Sequence, residues 1–83
     1  MSSVPRDPGH YSPTEHAVLR KRRRNIEWES VSEAIQEGEI YDGKDRSDIL
    51  FEYKLAYRDK PLRVYADPDA GDIITVAWKD TGE

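Results

Sequence analysis

The apolar residues of this chain change their period at Gly38, and that change decides which folds remain open. Before Gly38, Trp28, Val31, Ala34 and Ile35 recur at helical spacing while Glu29, Glu33 and Glu37 line another side. This predicts a helix over about residues 27–37, ended by the glycine. After Gly38 the period is two. Between Ile49 and Tyr57 every odd position is apolar or aromatic and the even ones include Glu52 and Lys54, so the run predicts a half-buried strand. Arg58-Asp59-Lys60-Pro61 then reads as a hairpin loop into a second strand from Leu62 to Ala66. The turn Asp67-Pro68-Asp69-Ala70-Gly71-Asp72 delivers a third strand, Ile73 to Trp78, and Glu39-Ile40-Tyr41 is short enough to add an edge strand.

Upstream, Ser12-Pro13-Thr14-Glu15 carries a helix-start signal, with Ser12 as N-cap, Pro13 in the first helical position and Glu15 three residues after the serine. That helix is expected to run through His16-Ala17-Val18-Leu19 into Arg20-Lys21-Arg22-Arg23-Arg24. It should stop at Asn25, a residue that tolerates a left-handed backbone. The expected class is therefore α+β, a helical hairpin packed on a three- to four-stranded antiparallel sheet. One domain should occupy residues 13–80, preceded by a mobile arm of residues 1–12, where Pro5, Pro8 and Gly9 interrupt any periodic pattern.

The chain has 83 residues, of which 36% are hydrophobic, so it supports one small core and a shallow site rather than a deep cofactor cavity. It contains no cysteine, which excludes disulfides, cysteine-ligated zinc and thiol nucleophiles. Phosphate-binding glycine loops are absent too, and no cofactor is expected. The cluster Asp67, Asp69 and Asp72 lacks the spacing of a calcium loop and reads as a turn, so no metal site is expected. No apolar run is long enough to span a bilayer, and Met1 to Pro13 lacks the apolar stretch of a signal peptide. A cytoplasmic protein without membrane contact is expected.

The formal net charge of −4 conceals an asymmetry. Up to Ile26 there are six Lys/Arg against two Asp/Glu; from Glu27 onward there are seven against fifteen. Five adjacent cations radiate around most of a helix, so at least two should approach the packed side and need a partner there. The glutamates of the second helix, the acidic residues of the sheet and a phosphate backbone are the available counter-ions, and arginine suits phosphate well. His16, Arg20 and Arg24, spaced four apart, share one stripe. A guanidinium one turn away disfavours a second positive charge, which leaves the imidazole available as a base beside a phosphate clamp. The same stripe can also bind phosphate without cutting it. Tyr53, Tyr57, Tyr65 and Trp78 fall on strands and are needed as core rings. Tyr65, out of phase with Leu62, Val64 and Ala66, is the one expected to be exposed, where a base could stack on it.

Glu15-His16-Ala17, Arg20, Arg24 and Ile26, followed by Val31, Ala34-Ile35 and Gly38-Glu39, resemble the H-A-x-x-R-x-x-x-R-x-I…V-x-x-A-I-x-x-G-E pattern of a family of small bacterial and archaeal proteins. That family is similar to the RelE/ParE-like toxin superfamily, including the BrnT-type ribonuclease toxins. Pro61-Leu62-Arg63-Val64 and Ile74-Thr75-Val76 resemble its hairpin and last strand. The resemblance implies a basic, RNA-facing surface and a possible antitoxin partner. His16, Arg20, Arg24 and Thr75 match the family's polar positions and, with Trp78, are the expected catalytic residues, while the basic run and the strand phase give Lys21, Arg22, Arg23 and Tyr65 as the residues expected to bind nucleic acid. Lys21 departs from the family's usual apolar residue, and Trp78 stands where its last strand often has Tyr. The function expected is thus a toxin-like RNA-binding protein, a metal-independent endoribonuclease or translation inhibitor acting on RNA or the ribosome. The competing readings are a non-catalytic module that binds nucleic acid or an acidic protein through its first helix, and a structural protein whose basic helix satisfies its own acidic sheet.

Overall fold

The computed structural model describes residues 4–43, 48–56 and 58–79. Its elements are β1 (Ser12–Pro13), α1 (Glu15–Arg23), α2 (Trp28–Glu37), β2 (Glu39–Asp42), β3 (Ile49–Tyr53), β4 (Leu62–Asp67) and β5 (Asp72–Trp78), preceded by one 3-10 turn, Pro8–His10. The strands form a single sheet in the order β1-β5-β4-β3-β2, antiparallel except for the parallel pair β1/β5. Both helices pack on one face of it, α1 over β5 and α2 over β3 and β4.

The α+β class is as expected, but the sheet has five strands and is mixed, not three or four and antiparallel. The difference lies in Ser12-Pro13. Read as a helix cap, this dipeptide instead pairs with Asp72 and Ile73, and the N-cap moves to Thr14, whose Oγ1 accepts from the Ala17 N–H at 3.1 Å. A two-residue strand has no period to detect, and a hydroxyl residue before a helix fits either role. At the other end α1 closes as the asparagine predicts. Asn25 is left-handed at φ 53°, the Ile26 N–H reaches back to the Lys21 carbonyl and the Asn25 N–H to that of Arg22, which is a Schellman stop. It turns Ile26 into the core, where it is 2% exposed.

The inner sheet face supplies Phe51, Leu62, Val64 and Val76, against Val31, Ala34 and Ile35 of α2. Gly38 allows α2 to run straight into the sheet. A Cβ there would stand 2.5 Å from the Ala34 carbonyl oxygen and 3.0 Å from that of Glu52, so only glycine fits the junction. Trp28, expected on the buried stripe, is 39% exposed, and Ser30 takes the inward position instead. The indole rests against the Lys21 ammonium, 5.2 Å from the ring centre. The strand expected over 49–57 ends at Tyr53; Leu55 is buried beyond it, and Tyr57 lies outside the described residues.

Residues 4–11, for which composition predicts a mobile arm, make specific contacts with the domain. Tyr11 is 5% exposed, sits edge-on to Phe51 at 6.1 Å and donates its hydroxyl to the Pro5 carbonyl; burial pushes that hydroxyl above its ordinary pKa. Arg6 donates to the Gln36 and Gly38 carbonyls at the end of α2. His10 Nε2 bonds the Pro68 carbonyl at 2.7 Å, so that nitrogen carries the proton. Such tethers are single side chains and leave no periodic trace.

Candidate nucleic-acid interface

Helix α1 buries only Ala17 completely and is held to the sheet mainly at its two ends. At its start the Thr14 hydroxyl meets the Ile73 and Ile74 carbonyls at 3.1 and 3.2 Å. At its end Arg24 Nη1 donates to the Val76 carbonyl, and Trp78 Nε1 donates to the Arg24 carbonyl, both at 2.8 Å. The Arg58 guanidinium stacks on the other part of this joint, 4.1 Å from the Trp78 ring centre. Replacing Trp78 with Phe keeps an aromatic six-membered ring but deletes the pyrrole part with its N–H, leaving the Arg24 carbonyl without that donor. The expected loss is about 1 kcal/mol, read as a lower urea midpoint with an unchanged slope.

This anchoring sorts the five cations. The two nearest the packed side find partners within the chain, Arg24 a strand carbonyl and Lys21 an indole face. Among the described residues neither is paired with a carboxylate. Arg22 and Arg23 are exposed, Arg20 is half-buried on the flank of the helix, and among the described residues none of them is ion-paired. Arg20 Nε donates to His16 Nε2 at 3.3 Å, so the imidazole accepts there and holds its proton on Nδ1. His16, Leu19, Arg20 and Arg23 line a shallow depression of about 270 Å³. A second, of about 280 Å³, lies around Lys21, Arg22, Asn25, Ile26 and Glu27. Leu19 is 60% exposed in the middle of this basic surface. A helical wheel would have shown it, since it lies about 200° around the helix from Ala17.

The remaining expected site residues lie elsewhere. Thr75 pairs with Tyr65, one position out of phase with the fully buried pair Val64/Val76, so both project from the sheet face opposite the helices. Across that outer face Tyr41, Leu50, Tyr65 and Thr75 form one row. In the next row Glu52 accepts from Arg63 Nε at 3.1 Å and lies 3.8 Å from Lys79 Nζ. Tyr41 donates to Glu39, and that hydrogen bond and the carboxylate's charge raise the Tyr41 pKa. The structure therefore brings together His16, Arg20 and Arg23, places Arg24 and Trp78 in the α1/β5 joint, and separates Thr75 and Tyr65 from α1 by the sheet. Arg58, which packs on Trp78, was not foreseen, because a loop arginine carries no pattern.

In the acidic turn, Asp67 Oδ1 accepts from the Asp69 and Ala70 N–H groups, which is turn chemistry. Among the described residues no cluster of three or more His, Asp or Glu is arranged to hold a metal ion, and no helix is long and apolar enough to cross a membrane.

A family model described as Domain of unknown function (DUF4258) matches residues 14–78, from the cap of α1 to the end of β5, and the chain belongs to that family. No curated protein and no solved structure matches it.

Proposed function

We propose that this DUF4258 chain is a toxin-like, RelE/ParE-like RNA-binding protein that engages free or ribosome-bound RNA in the cytoplasm through the outer surface of α1. The observation that carries the reading is the sorting of the basic run. The cations nearest the sheet are satisfied by a carbonyl and an indole, while Arg22 and Arg23 are exposed and Arg20 stays on the helix flank beside His16, without a carboxylate among the described residues, on a helix fixed at both ends. Guanidinium groups so presented suit phosphate oxygens, and an acidic antitoxin-like protein would compete for the same helix.

Metal-independent cleavage is the stronger form of the proposal. His16 Nε2 would take the proton of a ribose 2′-hydroxyl, the oxygen would attack the adjacent phosphate, and Arg20 would stabilise the charge gathering there. The 5′-oxygen would leave with a proton from water, giving a cyclic phosphate. Non-catalytic binding is the second reading. It is favoured by Arg24 and Trp78 being engaged in the α1/β5 joint and by Thr75 lying across the sheet. Incubating micromolar protein with labelled RNA and with ribosomes decides between them. Product formed by the wild type and lost at least a hundredfold in His16→Ala supports cleavage, whereas salt-sensitive binding with no product supports the module. An absence of binding at low salt ends both.

A further inference from the structure

We infer that His16 and Arg20 form a proton-gated phosphate clamp, closed on itself when His16 is neutral and open to an anion when His16 is charged. The inference rests on α1 being the RNA-binding surface in its non-cleaving form, since a charged His16 has no lone pair to take a 2′-hydroxyl proton, and adds how that surface is regulated. Its basis is the direction of one hydrogen bond. Arg20 Nε–H donates to His16 Nε2 at 3.3 Å, a contact that requires a lone pair on Nε2. In that state the guanidinium faces an imidazole of its own helix, and one of its donors is unavailable to a phosphate. Protonation at Nε2 removes the lone pair and sets a second cation beside the first. The contact then turns repulsive, and both groups have N–H donors facing the depression they share with Leu19 and Arg23.

Among the described residues, the surroundings contain little that would neutralise this pair. The depression is lined by α1 residues alone, and its third polar member, Arg23, is another cation. Of the elements on which α1 packs, β1 carries no charged residue, and β5 carries only Asp72, which does not line it. Glu27 belongs to the neighbouring depression with Lys21 and Arg22, and Glu15 is an exposed residue at the first helical position. An anion with closely spaced oxygens, such as the RNA phosphodiester, is the ligand that two adjacent donors and Arg23 would take. Binding is linked to uptake of one proton, so affinity rises as pH falls, with a limiting slope of about tenfold per pH unit.

The probe is a short fluorescent uridine oligoribonucleotide titrated at low salt from pH 8 to pH 5.5 by anisotropy. The wild type should bind about three- to tenfold more tightly at the acid end, while His16→Gln, which cannot acquire the charge, should bind with nearly constant affinity. The same dependence in both proteins would overturn the clamp. A second readout needs no RNA: nitrogen-15 shifts of the free protein at pH 8 should show His16 protonated on Nδ1, and a proton on Nε2 would overturn the inference outright. If the nitrogen shifts agree but the oligonucleotide binds at no pH, the RNA reading fails, and with it the clamp's function.

Discussion

Phe51→Ala is expected to lower the stability of the chain by about 3–5 kcal/mol, which leaves most molecules unfolded at room temperature. Phe51 is fully buried on the inner face of the interior strand β3, paired with Ile40 on one side and Val64 on the other. It also receives the edge of Tyr11, so its loss would release the N-terminal segment as well as open a cavity beneath α2. A core of this size supplies a net stability of only about the same magnitude as the loss, so little folded signal should survive. Leu50→Ala provides the comparison. Leu50 is only 7% exposed but points to the outer face, where it lies beside Tyr41 and Tyr65 and belongs to no cluster with the helices. Relaxation of the tyrosines over the gap should hold its cost to about 2 kcal/mol. Urea denaturation followed by far-ultraviolet circular dichroism measures both. Equal losses at the two positions would mean that the outer face is packed as tightly as the inner one.

The period change at Gly38 is enough to read α2 and the three long strands, because each of those elements buries one face and so leaves a repeat in the sequence, whereas α1, which buries only Ala17 completely, is legible through its start signal and the Asn25 stop. The parts that escaped are those joined by single contacts. Ser12-Pro13 enters the sheet through two residues, Arg6 reaches α2 by one guanidinium, and Arg58 covers Trp78 from a loop. Trp28 escaped for another reason. Its spacing fits the apolar stripe, but it stands at the first residue of α2, where the chain arrives from the Asn25 turn, and Lys21 offers its ring a cation at the surface. The site followed the same division. The i, i+4 spacing correctly put His16 beside Arg20, because helical geometry alone decides it. It did not show that Arg24, four residues further, would turn under the helix end to the Val76 carbonyl. A stripe of equal spacing tells which side chains share a face, and the tertiary partners decide which of them remain on it.

Replacing Arg20, Arg22 and Arg23 together with Gln should weaken binding of a single-stranded RNA about a hundredfold at low salt while leaving the melting temperature almost unchanged. The two halves of this expectation come from the same fact. None of these side chains is ion-paired within the described residues, so removing their charges breaks no salt bridge in the fold, and it relieves repulsion among neighbouring cations. Three contacts to a single strand give a slope of log affinity on log salt of about −2, so the wild type should lose roughly twentyfold between about 50 and 200 mM salt. In the triple variant that slope should flatten towards zero. Arg24→Gln makes the opposite separation, since its guanidinium is bonded to Val76 at the helix end: it should lower the melting temperature and leave the salt slope nearly intact. Affinity and slope measured by anisotropy, beside a thermal melt of each variant, compare the two roles directly. A triple variant that binds as the wild type does would move the RNA contact off α1. A fall in its melting temperature as large as that of Arg24→Gln would mean that these arginines serve the fold instead.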